Sequence, residues 1–311
     1  MTTRAEDTAD ALADLCDEGA DIILNQIQMA DPASSDAPPS VLDERVWKIE
    51  LGSVDPGAWI QEIGASYLTE SGHIIRAIAR LLRTRAVFAS MDPLVRAVVE
   101  RVGRVNWILD FRINHRQRAI RAGLEIAVSW QFYRSGIARL EGDKAIRKVL
   151  KAPAAAHLER LESWFEPVKP PENPCDILKL TSDVSQWIFE GEVFPTMTRL
   201  AQYALESAHF EPGIAAGVYD ALSGFAHPSV ITSRENRRTD ERGAVQYFFR
   251  AIEMDKLVRL ALLSYFDGVN RWVDYFGAPN RVEIKASMDS ISRQFDELSA
   301  QIPEIEPDQL P

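Results

Sequence analysis

Apolar residues recur every three or four positions along most of this chain, which is the spacing of one face of an α-helix. In chain order, the periodic segments span about residues 6–29, 55–85, 92–107, 114–140, 154–165, 177–189, 196–208, 213–227, 244–276 and 281–300. No segment shows the apolar–polar alternation or the Asn-Gly turn that is typical of strands. The pattern therefore predicts an all-α fold, a multi-helix bundle of antiparallel helices.

Particular residues mark where two of these helices begin. Asp92 followed by Pro93 places an N-cap side chain before a proline at the first helical position, so a helix is predicted from there through Trp107. Asn114 and Gln117 have the spacing of a capping box at the start of the next helix. Because only a few residues connect the two helices, we expect them to pack as an antiparallel hairpin.

Proline-rich and acidic segments divide the chain. Residues 31–40 have the composition of a flexible linker, and four prolines between positions 167 and 174 stop any helix. The sequence therefore predicts an acidic N-terminal helix with its linker (1–40), a first helical subdomain (41–166), a second one (167–300) and an acidic tail (301–311). The linker allows the N-terminal helix to pack on its own chain or on another subunit.

The composition is typical of a globular protein, because 46% of the 311 residues are hydrophobic. The chain starts without the features of a signal peptide and has no apolar run near the ~18 residues of a membrane span, which predicts a cytoplasmic protein without membrane contact. Cys16 and Cys175 stand apart from any Cys or His cluster and are interpreted as free thiols. His157 and His209 have no partner at metal-ligand spacing, so no metal and no cofactor are predicted.

Charge is distributed very unevenly. The chain has a net charge of −11, but residues 71–140 hold thirteen Arg, no Lys and only four acidic residues, a net charge of +9. The remaining residues therefore carry −20. This asymmetry fits a protein that binds an anionic ligand or nucleic acid. It equally fits acidic helices that pack onto a basic pair within one protein.

Two helices of this basic segment carry charged residues at helical spacing. Glu100 and Arg104 lie on one face of the first, and Arg118, Arg121 and Glu125 lie on one face of the second. In the hairpin we expect Glu100 and Arg104 to face Arg121 and Glu125. Such a cluster can fix the register of the two helices, or it can bind an anion, because guanidinium groups pair well with phosphate oxygens.

A second group of polar residues lies on the predicted helix 213–227. Tyr219, Ser223 and His227 follow one another at intervals of four residues, so they share one helix face. Pro228 ends the helix at His227, beside a charged loop. These three residues are the candidate catalytic group, and the alternative is a buried hydrogen-bond network without chemistry.

The pattern Tyr-x-x-Leu-Ser-x-x-x-His-Pro-Ser over residues 219–229, with Glu100 and the run Trp107-Ile-Leu-Asp110 upstream, resembles an uncharacterised family of all-helical bacterial proteins. That family is loosely similar to the HEPN-type helical domains of toxins and phage-defence proteins. The resemblance spans about residues 90–275 and implies a helical fold. A HEPN-like enzyme would be a metal-independent ribonuclease with His227 as general base. In this chain, however, no His follows an Arg by the four to six residues typical of those nucleases.

Three functions are compatible with these patterns. The first is a cytoplasmic helical protein that binds a partner or an anionic ligand through the Arg-rich hairpin and has no chemistry of its own. The second is the HEPN-like ribonuclease, acting as a toxin or phage-defence effector. The third is a homo-oligomeric scaffold whose N-terminal helix exchanges between protomers. We take the first as the working hypothesis, because the basic segment supports it.

Overall fold

The computed structural model describes residues 3–26, 37–85, 91–140, 144–169, 184–208, 211–226, 237–239, 245–247 and 251–302. Ten α-helices make up most of these residues, and the predicted all-α fold is confirmed. They are α1 (Thr3–Asp21), α2 (Pro39–Glu50), α3 (Asp55–Arg83), α4 (Met91–Ile108), α5 (His115–Leu140), α6 (Lys144–Trp164), α7 (Met197–Ser207), α8 (Pro212–Ala226), α9 (Ala251–Phe276) and α10 (Arg281–Ser299). A π-helical turn, Ile22–Gln26, follows α1, and a 3₁₀ turn spans Val184–Gln186.

The hydrophobic pattern does not predict α2, and the burial of its side chains explains why. Trp47 is fully buried, whereas Leu42 and Ile49 are exposed. The apolar residues of α2 are therefore spread around the helix instead of forming the single stripe that a periodic pattern detects.

Five short strands accompany the helices, although the sequence shows no strand pattern. β1 (Pro167–Val168), β2 (Ile188–Phe189) and β3 (Glu192–Val193) form one antiparallel sheet, and β4 (Arg237–Thr239) pairs with β5 (Val245–Tyr247). The helices predicted over 177–189 and 244–276 are therefore wrong at 188–189 and 245–247. Strands of two or three residues are too short to show alternation. The β2–β3 turn places Glu190 and Gly191 at φ values of 49° and 87°, a left-handed backbone that glycine favours.

The capping box predicted for α5 is present. Asn114 Oδ1 accepts a hydrogen bond from the Gln117 amide at 2.9 Å, and Gln117 Oε1 accepts one from the Asn114 amide at 3.2 Å. α4 begins at Met91, one residue before the predicted N-cap Asp92, which lies inside the first turn. α6 begins earlier than predicted, because it continues through Pro153.

One hydrophobic core includes side chains from both predicted subdomains. α3, α4 and α9 pack against one another, and α7 packs on α4. The largest fully buried side chains include Trp47, Trp107, Tyr265, Phe165 and Phe189. The subdomain boundary after residue 166 remains a prediction, and residues on both sides of it contribute to this core.

The N-terminal helix α1 packs against α3 and α9 of its own chain. Leu12 and Cys16 are fully buried in this contact. Ion pairs strengthen it at the far end of α3, where the Arg83 guanidinium group hydrogen-bonds the carboxylates of Asp14 and Asp17.

α4 and α7 approach each other so closely that only glycine fits at position 103. A Cβ atom on Gly103 would lie 2.0 Å from the Leu200 carbonyl oxygen and 2.6 Å from its carbonyl carbon. Both are backbone atoms, so no side-chain rotation relieves the overlap. Gly103 therefore sets the distance between α7 and the helix that carries Glu100 and Arg104.

We expect Gly103→Ala to lower the free energy of unfolding by at least about 1–3 kcal/mol, because the added methyl group forces the two backbones apart. Gly217→Ala is the matched control, since a Cβ atom there would meet nothing within 4 Å. That control should stabilise α8 by about 0.5–1 kcal/mol. Urea denaturation measures both effects. If Gly103→Ala were as stable as the wild type, α4 and α7 would not be in backbone contact.

Candidate functional site

Most of the Arg residues in the basic segment 71–140 are paired with carboxylates. The structure describes the side chains of eleven of its thirteen Arg. Ten of these eleven hydrogen-bond an Asp or Glu side chain, namely Arg76, Arg83, Arg85, Arg96, Arg101, Arg104, Arg112, Arg116, Arg118 and Arg121. For seven of the ten, the carboxylate comes from outside the segment, on α1, α2, α3 or the β2–β3 hairpin. These ten side chains therefore fit the alternative in which acidic elements pack onto a basic pair.

The predicted contact between Arg104 and Glu125 is confirmed. Arg104 Nη1 donates to Glu125 Oε1 at 2.6 Å, and the hydroxyl groups of Tyr67 and Ser129 donate to the same oxygen at 2.6 and 3.0 Å. Glu125 is fully buried. Burial, together with the charge of Glu125, raises the pKa of Tyr67 to about 12, so the phenol keeps the proton that it donates.

The predicted contact between Glu100 and Arg121 is wrong. Arg121 Nη1 donates to the Trp107 carbonyl oxygen at 2.7 Å, which places these two residues level across the hairpin. Glu100 precedes Trp107 by seven positions, about 10 Å along the helix, and therefore lies too far from Arg121. Glu100 Oε1 instead accepts hydrogen bonds from Arg96 Nε at 2.7 Å and from the Tyr219 hydroxyl group at 2.8 Å.

Arg121 is held by a carboxylate that the sequence analysis does not identify. Glu192, on β3, accepts a hydrogen bond from Arg121 Nε at 2.7 Å and one from Gln117 Nε2 at 2.8 Å. Arg121 and Glu192 are only 7% and 9% exposed. A second carboxylate is near, since Asp110 Oδ2 lies 3.9 Å from Arg121 Nη1. Although burial opposes ionisation of Asp110, hydrogen bonds from Arg112 lower the pKa of this carboxyl group below its ordinary value.

Arg118 anchors α2 to the start of α5. Its Nη1 lies 2.5 Å from Asp43 Oδ2, and its Nη2 donates to the carbonyl oxygens of Asp110 and Ile113 at 3.3 Å each. The guanidinium group also lies 5.1 Å from the ring centroid of Tyr275. Its hydrogen bonds are thus directed into the protein. Of the five residues predicted to bind one ligand, Arg104 and Glu125 pair with each other, whereas Glu100, Arg118 and Arg121 each pair with residues outside this group.

Of the three candidate catalytic residues, the structure describes two. Tyr219 is buried on α8, and its hydroxyl group accepts a hydrogen bond from Arg96 Nη2 at 3.1 Å in addition to donating one to Glu100. Burial and the contact with Glu100 raise the pKa of Tyr219, so this phenol stays protonated at neutral pH. Ser223 is half-buried one turn further along, and His227 lies outside the described residues. Their catalytic role stays a prediction.

The described part of the chain contains no cluster of three or more His, Cys, Asp or Glu side chains that could hold a metal ion. Among the same residues, no helix has both the length and the apolar character to span a membrane. Cys16 is a buried free thiol, and burial raises its pKa, so the sulfur stays protonated. Cys175 lies outside the described residues.

An open groove of about 630 Å³ lies between α3, α5 and α6. Trp59 and His157 form its floor, with ring centroids 4.6 Å apart in an edge-to-face arrangement, and each residue is 8% exposed. Burial lowers the pKa of His157, so its imidazole is neutral at pH 7. His157 Nε2 lies 2.9 Å from the Gly123 carbonyl oxygen, to which it donates. The groove therefore has an apolar floor whose one polar ring is already hydrogen-bonded.

Aromatic side chains of α5 form one wall of the groove. The rings of Trp130 and Tyr133 pack edge to face with centroids 5.7 Å apart, and Tyr133 is 52% exposed. Pro153 and Ala156 of α6, both exposed, line the opposite side, and Arg160 lies at the end away from Tyr133. The groove is consequently accessible along its length and mainly apolar.

The two helices are closest at the base of this groove. A Cβ atom on Gly123 would lie 2.3 Å from Leu161 Cδ2, so α5 and α6 are in direct contact there. Towards the other end of α6, Ile146 and Val149 are 47% and 72% exposed. They precede Pro153 at intervals of three to four residues, so an apolar face continues from the groove towards the end of the hairpin.

The sequence analysis does not predict this groove. It says of His157 only that no metal-ligand partner stands at the right spacing, and the structure places this imidazole in a buried hydrogen bond to Gly123. The sequence pattern that could have predicted the groove lies on α5. There Ile126, Trp130 and Tyr133 recur at helical spacing, on a helix that also buries Glu125. A helix with apolar residues on a second face needs a second contact. The sequence does not show which helices form the other walls.

Arg121→Ala should lower the free energy of unfolding by about 3–5 kcal/mol, because it leaves the buried Glu192 carboxylate without its cation. Glu100→Ala should cost only about 1 kcal/mol, because the Glu100 side chain is 24% exposed and water can reach its former partners. Urea denaturation of the two variants checks this difference. Equal losses of stability would mean that the β2–β3 hairpin does not cover Arg121 in solution.

We expect the wild-type protein to leave RNA intact, because the Arg–His spacing of HEPN nucleases is missing. Under the alternative hypothesis from the sequence, a hydrogen-bond network without chemistry, His227→Ala should lower the free energy of unfolding by about 1–3 kcal/mol. The measurements are cleavage of a labelled single-stranded RNA in a metal chelator and thermal unfolding of the variant. A wild type that cleaves, paired with a stable and inactive His227→Ala, would instead support the ribonuclease.

Comparison of the chain with protein-family models, with curated proteins and with solved structures gave no match. The relationship to HEPN-type domains therefore stays a prediction based on the residues quoted above. A function for this chain has to be argued from its own geometry.

Proposed function

We propose that this protein is a cytoplasmic helical binding protein without chemistry of its own, and that it holds a segment of a partner protein in the groove between α3, α5 and α6. The observation that carries the proposal is the groove itself, an open volume of about 630 Å³ with the aromatic rings of Trp59, Trp130 and Tyr133 in its lining. It leads to Ile146 and Val149, which are exposed. Apolar side chains exposed side by side are typical of interaction sites, whereas single ones are ordinary.

The Arg side chains of the hairpin are already paired with carboxylates, which supports a binding site elsewhere on the protein. Arg121 and Arg118 are bonded to the carboxylates of Glu192 and Asp43, and both guanidinium groups are nearly buried. A phosphate or a nucleic acid could bind them only after these pairs had been broken. Breaking a buried ion pair costs several kcal/mol. The hairpin is therefore better suited to fixing helix register than to binding an anion.

The form of the groove favours a protein segment over a small molecule. Pockets for small ligands enclose most of the ligand surface. Here Tyr133, Pro153, Ala156 and Arg160 are all exposed along the groove. Trp and Tyr dominate the centres of protein–protein interfaces, because they bury a large area with few rotatable bonds. Two Trp and one Tyr in one groove provide such a centre.

A library of random peptides displayed on phage, panned against the immobilised wild-type protein, should enrich clones that bind in the groove. We expect these clones to lose at least about tenfold in affinity, or 1.4 kcal/mol, towards Tyr133→Glu, which places a charge in the aromatic wall. Tyr133 is half exposed, so this variant should keep its fold, which thermal unfolding checks.

The matched control is Phe111→Ser, because Phe111 is an exposed aromatic residue, 79% accessible, outside the groove. Enriched clones should bind this variant as they bind the wild type. Clones that bind wild type and Tyr133→Glu equally well would reject the groove as the binding site.

A further inference from the structure

The wall that α3 contributes to the groove specifies the chemistry of the partner. Building on the proposed function, we infer that the bound segment of the partner carries a basic side chain, Arg or Lys, that pairs with Glu62 beside Trp59. The inference rests on an unpaired carboxylate in the groove, on the charges of the other groups that line it, and on contacts of the same kind elsewhere in the fold.

Glu62 lines the groove from α3. It follows Trp59 by three positions, so the two side chains lie on the same face of the helix. Glu62 is exposed, and it makes no hydrogen bond or ion pair with any other residue that the structure describes. Its charge is therefore available to a partner.

The other ionisable groups of the described lining leave the charge of Glu62 uncompensated. Arg160, the one cation among these lining residues, is bonded through Nη1 to the Asp55 carboxylate at the start of α3. His157 is neutral at pH 7, because burial lowers its pKa. Two carboxylates and one guanidinium group therefore give the described groove a net charge of −1.

A partner segment that covers the groove also removes water from Glu62. Desolvating a carboxylate is unfavourable unless a hydrogen-bond donor or a cation replaces the water. An apolar or acidic side chain over Glu62 leaves this cost in place, whereas Arg or Lys removes it through a charge-assisted hydrogen bond. The groove therefore disfavours acidic segments as well as attracting basic ones.

The fold contains the same arrangement elsewhere. A cation lies near an aromatic ring and pairs with a carboxylate in three contacts, Arg121 with Trp107 and Glu192, Arg118 with Tyr275 and Asp43, and Lys169 with Trp187 and Glu162. On α3, Trp59 and Glu62 provide the ring and the carboxylate, and no described residue provides the cation. The apolar stem of Arg or Lys can pack on Trp59 while its charged end reaches Glu62.

The two walls of the groove contact different side chains of the partner. Trp130 and Tyr133, on the α5 wall, contact its apolar side chains, and Glu62 on the α3 wall pairs with its basic one. Tyr133→Glu therefore removes apolar contacts on the first wall. Glu62→Gln removes only the charge on the second wall, and it separates the inference from the proposed function.

The test uses three phage libraries of peptides that are random in uncharged residues around a fixed central Arg, Gln or Glu. Each is panned against the immobilised full-length wild type, against Glu62→Gln and against Glu297→Gln. Glu297 is the matched control, because it is an exposed carboxylate of α10 outside the groove. Both variants should keep the melting temperature of the wild type, since both residues are exposed.

We expect the wild type to enrich Arg clones at least about tenfold over Gln clones, and to enrich Glu clones least of all. This preference should shrink to about twofold or less on Glu62→Gln, because the carboxylate that desolvation penalises is gone. It should stay unchanged on Glu297→Gln. Sequencing of the enriched clones measures all three ratios.

The best Arg clone, made as a fluorescein-labelled peptide, isolates the charge. Citrulline in place of its Arg keeps the shape of the side chain and removes the charge. We expect this exchange to weaken binding to the wild type at least about fivefold, and binding to Glu62→Gln less than about twofold. Fluorescence anisotropy measures the four affinities of this double-mutant cycle.

Equal enrichment of the three libraries on the wild type would overturn the inference and leave the groove as a binding site for proteins. Preferential enrichment of Glu clones would overturn it too, because the groove would then attract acidic segments. An Arg preference that persists on Glu62→Gln would place the basic side chain elsewhere. If no clone were enriched in any library, the proposed function itself would fail. Dimerisation of the wild type but not of Glu62→Gln, measured by analytical ultracentrifugation, would identify a second copy of the chain as the occupant.

Discussion

The arrangement of helices around the Arg-rich hairpin depends on one guanidinium group that is buried where three elements meet. Arg121 extends from α5 to the last turn of α4, where it donates to the Trp107 carbonyl oxygen, and to β3, where it pairs with Glu192. Without it, the carbonyl group at a helix end would lose this hydrogen bond, and the buried Glu192 carboxylate would keep only the neutral Gln117 amide as a partner, which is more costly than losing an exposed hydrogen bond. The same contact sets the register of the hairpin, and thereby brings Arg104 level with Glu125.

The acidic and basic segments of the chain form many ion pairs with each other in the folded structure. On α1, acidic residues recur at intervals of three and four, and they pair with Arg residues at the end of α3, in the contacts Asp10–Arg85, Asp14–Arg83, Asp17–Arg83 and Asp21–Arg76. Each of these pairs is partly exposed and contributes little by itself. Together they give α1 one orientation on α3. A large charge asymmetry between segments is thus compatible with a chain in which most of the described Arg side chains of the basic segment pair with carboxylates of the same chain.

The sequence predicted those features of the structure that involve residues close together in the chain. The helical periodicity, the capping box of Asn114 and Gln117, and the level contact of Arg104 with Glu125 all concern residues on one helix or on two helices joined by a short connection. The contact between Arg121 and Glu192 could not be predicted in this way, because Glu192 lies 71 positions from Arg121 and on a strand of two residues. The groove was missed for a related reason. Its walls come from three helices, and an apolar face on each does not indicate which faces meet.

The close contact at Gly123 determines how the groove can respond to a partner. Leu161 packs against the Gly123 backbone and His157 hydrogen-bonds its carbonyl oxygen, so α5 and α6 are fixed to each other at the base. A groove that is already formed loses little conformational entropy on binding, and most of the ordering cost falls on the incoming segment. For the proposed partner, affinity then depends on how much of its segment already has the bound conformation before it binds. Changes in the partner's own conformation, far from any contact residue, would therefore tune the strength of the proposed complex.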